Sequence, residues 1–89
     1  MMQNMLDEAK RRLGANDLAG AQQMCRTILE SQAQQRHLGA LQVLEEVSRR
    51  WVSGGQYDRV AECCELMLTK YPESADLYMN LGSALIRSG

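Results

Sequence analysis

The chain has 89 residues, 45% of them apolar but only 4% aromatic, with no Phe and one Pro. One small domain is implied, with a modest core of Leu, Ala, Met, Val and Cys, a set that suits packed helices rather than a β-sandwich. A formal net charge of −1 gives no general attraction to nucleic acid or to an acidic membrane surface.

In chain order, residues 3–13 predict a first helix. Leu6, Ala9 and Leu13 share one side, extended by Met2 and Met5. Asp7 and Glu8 near its start and Lys10, Arg11 and Arg12 near its end complement the helix dipole. Gly14-Ala15-Asn16-Asp17 reads as a turn, with Asn16 or Asp17 able to cap the next helix. That second helix, over about 17–32, carries Leu18, Ala21, Cys25, Ile28 and Leu29 on one stripe. The polar segment SQAQQRHLGA (31–40) is either a connecting loop or an extension of the third helix. We read it as an extension from about Gln35, because Gln, Arg, Leu and Ala propagate helices, although Gly39 speaks against this. The third helix runs to about Val52, with Leu38, Leu41, Leu44, Val47 and Trp51 in steps of three and four. Gly54-Gly55 ends it, since glycine accepts positive φ. A fourth helix carries Tyr57, Val60, Cys64, Met67, Leu68 and Tyr71, and Tyr71-Pro72 stops it. A fifth carries Leu77, Tyr78, Leu81 and Leu85. Gly82 lies inside that stripe, where it costs the helix about 1 kcal/mol, and so predicts a second helix backbone passing close by.

The second and fourth stripes repeat. Leu18 and Tyr57 stand 39 residues apart, as do Ala21 and Val60, and Cys25 and Cys64. An internal repeat of paired helices is therefore indicated by the residues alone.

No constellation for catalysis emerges. Cys63-Cys64 could form a redox or metal-binding pair, but Cys64 matches the core position of Cys25. We expect Cys64 in the core and Cys63 partly exposed. His37 is the single histidine, without a nucleophile or carboxylate at a recognisable spacing, and is expected in solvent. Glu45 and Glu46 diverge by about 100° on a helix, and Glu62 and Glu65 read as solvated residues. Gly54-Gly55 lacks the Lys-Ser/Thr of a phosphate loop. Arg11-Arg12 and Arg49-Arg50 are basic doublets without interleaved aromatics, so nucleic-acid binding is not expected. Of six methionines, four fall in residues 1–24 and read mainly as core filler, Met79 excepted. Three cysteines and one histidine supply neither a disulfide framework nor zinc-ligand spacing, so no metal or cofactor is expected. No apolar run approaches the roughly 18 residues of a membrane span, and MMQNMLDEAKRRL is no signal segment. We expect a cytoplasmic protein with reduced thiols and no membrane partner.

Residues 54–89 resemble the tetratricopeptide repeat family, whose pattern W-x2-L-G-x2-Y, A-x3-F, P recurs over roughly 34 residues. Tyr78-x2-Leu81-Gly82-x2-Leu85 corresponds to the first part, with Tyr for Trp and Leu for Tyr. Val60-x3-Cys64 and Pro72 correspond to the rest, with Val for Ala and Cys for Phe. The resemblance implies an all-α, right-handed α-α superhelix of five helices. Its units would be a first repeat over about 2–35, a second over about 36–74, and a half repeat over 75–89. It also implies a protein-interaction module (scaffold, adaptor or chaperone type), not an enzyme, that binds a peptide or helix of a protein partner.

In such arrays the first helix of each pair lines a concave groove. The expected groove residues are Leu6, Lys10 and Leu13, with Gln3 beside them; Gln42, Glu45, Arg49 and Val52; and Met79, Ser83, Ile86 and Arg87, beside Asp76. Lys10, Arg49 and Arg87 would run as three cations along it, favouring acidic groups, while Leu6, Val52, Met79 and Ile86 offer apolar anchors. The family's carboxylate clamp does not carry over. Leu6 and Lys10 stand where it needs Lys and Asn, Glu46 stands where it needs Asn, and only Asn80 with Arg87 fits. The fifth helix is apolar on more than one side and lacks a second helix to pack on. Either the chain is a fragment of a longer repeat protein, or the face of Leu77, Tyr78, Leu81 and Leu85 is buried against a partner, a homodimer being the natural form.

Overall fold

Five stretches carry apolar residues at helical steps, and each is a helix. The computed structural model describes residues 2–31 and 37–88, with side chains from Asn4 onward in the first segment. Its helices are α1 (Met2–Gly14), α2 (Leu18–Ser31), α3 (Leu38–Ser53), α4 (Tyr57–Leu68) and α5 (Ala75–Ser88). No strand occurs among the described residues, and the fold is all-α.

The 39-residue spacing extends to the backbone of two turns. After α1, the Asp17 N–H bonds to the Arg12 carbonyl at 2.8 Å and the Asn16 N–H to the Leu13 carbonyl at 2.9 Å. After α3, Gln56 bonds to Trp51 at 2.9 Å and Gly55 to Val52 at 3.0 Å. Both are nested pairs that satisfy the last carbonyls of a helix. Each needs one left-handed residue, supplied by Asn16 (φ 60°) and Gly55 (φ 73°). Asn tolerates that region because its short side chain bonds locally, and glycine because it has no Cβ.

Of the two candidate caps, Asp17 starts α2, its Oδ1 accepting from the Gly20 N–H at 3.1 Å. Ser74 does the same for α5, with its Oγ accepting from Leu77 at 3.2 Å. α3 does not continue back through His37. His37 takes φ 54°, outside any right-handed helix, so α3 begins at Leu38. The expected start at Gln35 and the repeat boundary at 35–36 lie outside the described residues, as does the side chain of Gln3. α4 ends at Leu68, earlier than Tyr71-Pro72 alone requires, and the Lys70 N–H closes the last turn on Met67 at 3.0 Å.

Consecutive helices pack on one another, and α1 also touches α3, as α2 touches α4. The molecule is a slab of 38 × 30 × 14 Å. Its main core joins Ala9 of α1 and Ala21, Cys25, Ile28 and Leu29 of α2 to Leu41, Leu44 and Val47 of α3 and Cys63 and Met67 of α4. Ile28 and Leu44 are fully enclosed and contribute about 1.5–3 kcal/mol each. A smaller cluster joins Val60, Ala61 and Cys64 of α4 to Ala84 of α5, and Trp51 packs against both.

Four expectations about packing are corrected. Leu38 is exposed and leaves its stripe. Cys63 is as buried as Cys64, because α4 lies between α2 and α5 and has two inward faces. His37 is half-buried, with its Nε2 enclosed and unbonded among the described residues. No neighbouring helix approaches Gly82, where an added Cβ would meet nothing within 4 Å. The close approach is at Gly39, where a Cβ would stand 2.6 Å from Leu6 Cδ2 of α1.

Polar bonds fix the helices in register. Trp51 Nε1 donates to Gln22 Oε1 at 2.9 Å, and Gln22 Nε2 donates to Glu62 Oε1 at 3.3 Å. Arg59 pairs with Glu62 at 3.4 Å and lies 5.8 Å over the Trp51 ring, closing a circuit through α2, α3 and α4. Arg50 of α3 reaches the Leu13 carbonyl at 2.8 Å, placing a cation at the C-terminus of α1.

Candidate binding groove

α3 and α5 flank α4 without touching each other, which leaves a trough between them. Two cavities of about 470 and 450 Å³ occupy it, and both are lined by Ser48, Arg49 and Asn80, so the trough is continuous. On the α3 wall, Glu45, Ser48, Arg49 and Val52 succeed one another at steps of three, one and three. On the α5 wall, Asp76, Asn80, Ser83 and Arg87 do so at steps of four, three and four. Such steps keep each set on one side of its helix. The floor is apolar: Val60, Cys64 and Met67 of α4, with Leu77 and Ala84 from the inner side of α5.

Ser48, Asn80 and Ser83 make no side-chain hydrogen bond among the described residues. Their donors and acceptors face the trough unengaged. The two cations are held. Arg49 bonds to Glu46 at 2.9 and 3.1 Å. Arg87 donates to the Tyr57 hydroxyl at 3.2 Å, with its guanidinium 5.4 Å over that ring. Hydrogen bonds from Arg49 and Arg50 hold the Glu46 carboxyl below its ordinary range. Burial pushes the Cys64 thiol up, so the floor holds a protonated, unreactive sulfur.

The expected groove is brought together in part. Glu45, Arg49, Val52, Ser83 and Arg87 line the trough, as does Asp76. The residues of α1 do not, because α1 and α3 pack directly. Leu6 closes on Gly39, and Leu13 packs against the core. Lys10 and Gln42 are exposed but line neither cavity, so no row of three cations exists. Arg49 and Arg87 are balanced in the lining by Glu45 and Asp76, which removes the expected bias toward acidic groups. Met79 and Ile86 project from another side of α5. Of the expected self-association face, Tyr78 and Leu85 are exposed, while Leu77 and Leu81 turn inward and pack against the core clusters. Ser48 and Ser53 join the lining from outside the expected set, and Asn80 stands in that set only within a clamp that fails. The readable signal for Ser48 and Asn80 is the polar ladder, one helical turn from Glu45 and Asp76.

Among the described residues, no helix is long and apolar enough to cross a membrane. Compared with protein-family models, curated proteins and solved structures, the chain matches none.

Proposed function

We propose that the chain is a protein-interaction module of tetratricopeptide-repeat type, acting as scaffold, adaptor or chaperone and not as an enzyme. An extended peptide or a helix of a protein partner lies in the trough between α3 and α5. One observation carries this reading: Ser48, Asn80 and Ser83 present unengaged polar groups over an apolar floor. An extended peptide needs just such partners for its own N–H and C=O groups, and a floor for one or two apolar side chains. Two turns built alike 39 residues apart, and a slab of paired helices, support the superhelical repeat.

The partner is protein rather than nucleic acid. The basic doublets are occupied: Glu8 holds Arg11 and Arg12, and Glu46 holds Arg49 and Arg50. The three free thiols are buried, and burial raises two of them, Cys25 and Cys63, to about 12. Such thiols suit a reducing compartment, the cytoplasm.

Selection from a random displayed-peptide library tests the site. Binders of the unmodified chain should lose at least about tenfold in affinity against Asn80→Ala/Ser83→Ala, with helical circular dichroism unchanged, as expected for one to two lost hydrogen bonds. Binders indifferent to that variant would place the site elsewhere.

A further inference from the structure

The charges of the trough are sorted along its length. α3 and α5 run the same way across it, since Glu45 and Asp76 line one cavity and Val52 and Arg87 the other. At the Arg87 end, Arg49 is the only other charged residue of the lining, and no carboxylate is present there. At the opposite end stand Glu45 and Asp76, with Arg49 where the two cavities meet. Glu45 and Asp76 are exposed and form no ion pair among the described residues. Arg87 meets only the neutral hydroxyl and ring of Tyr57. Glu46 serves Arg49 and Arg50 together, so one of their two positive charges is not offset. The trough therefore has a negative end and a positive end.

We propose that this polarity selects the partner, an inference that rests on the trough being a peptide site. The segment it takes is extended, with a Lys or Arg side chain at the Glu45 and Asp76 end and an Asp or Glu side chain at the Arg87 end. Opposite signs then meet at both ends, whereas the same segment laid the other way meets like signs at both. Such complementarity discriminates between partners, and fixes their direction, more than it adds affinity. The walls also set the spacing of the two charges. Arg87 stands eleven residues beyond Asp76 on α5. That is roughly 16 Å of α-helix, or about five residues of extended chain. With the reach of long side chains, the basic and acidic residues of the segment stand about four to six positions apart. Alternate side chains between them point the same way and meet the floor of Val60, Cys64 and Met67.

Peptides selected from the displayed library, resynthesised with acetylated and amidated ends so that only side chains carry charge, decide the matter. Those that lose affinity for Asn80→Ala/Ser83→Ala should carry the two charges at this spacing. Arg87→Glu should weaken them at least about fivefold with helical circular dichroism unchanged, as expected for reversing one exposed charge. Replacing the peptide's acidic residue with Lys should recover most of that loss, whereas replacing its basic residue with Glu should deepen it. Asp76→Lys should weaken the same peptides to a similar degree and be rescued only by Glu in place of the basic residue. Peptides that need Asn80 and Ser83 yet are indifferent to Arg87→Glu and Asp76→Lys would overturn the polarity and leave the trough standing, as would rescue by the wrong residue. Peptides indifferent to Asn80→Ala/Ser83→Ala would overturn both.

Discussion

At the scale of single residues, the chain uses few polar groups to join several helices. Gln22 is the clearest case. It is buried, accepts from the Trp51 indole, and donates to Glu62, so one amide ties α2 to α3 and α4. Replacing it with Leu keeps the bulk and removes both bonds. The indole N–H is then left without an acceptor, at about 1–2 kcal/mol. Gln22→Leu should lower the urea midpoint followed by circular dichroism without changing the slope. In a Trp51→Phe background, which has no indole to satisfy, the same change should be markedly milder. Equal losses in both backgrounds would mean that Gln22 acts through packing alone. The partner residues lie 29 and 40 positions away from Gln22, and nothing local in the sequence announces either bond. The same holds for Cys63. Helical periodicity finds one buried stripe on α4, but a helix placed between two neighbours hides a second.

At the scale of helices, the boundaries are largely legible in the sequence, because stripes, glycines and the single proline act locally. Five such stripes suffice for the fold class. What periodicity does not specify is which helices meet. Gly82 lies inside a stripe and reads as a contact, yet it is Gly39, at the start of α3, that a core side chain of another helix approaches. The groove residues assigned to α1 fail for the same reason: α1 fills its side of α3, whereas α5 stands away from α3. The two glycines therefore predict opposite effects. Gly39→Val drives a branched side chain into Leu6 and should destabilise by about 1–3 kcal/mol. Leu6→Ala added to it should recover part of that loss by clearing the space. Gly82→Ala adds a methyl to open space within a helix and should stabilise α5 by about 0.5–1 kcal/mol. Urea unfolding followed by circular dichroism reads both signs. A stabilising Gly39→Val would show that α1 and α3 do not pack at this point.

At the scale of the molecule, α5 is the least supported helix. α1 to α4 each touch at least two others, but α5 touches only α4. Only Ala84 of its fourteen residues is buried. Elements with so little buried surface open at free energies well below that of global unfolding. The peptide proposed for the trough lies against this helix. It would supply contacts that the free chain lacks, and binding that favours the folded helix slows its opening. Amide hydrogen exchange of the dilute chain should therefore find α5 the least protected helix, with α2 and α3 the most protected. A peptide selected for the trough should slow exchange in α5 of the unmodified chain and lose that effect in Asn80→Ala/Ser83→Ala. An effect of the peptide that survived the double variant would show that it binds elsewhere than the trough.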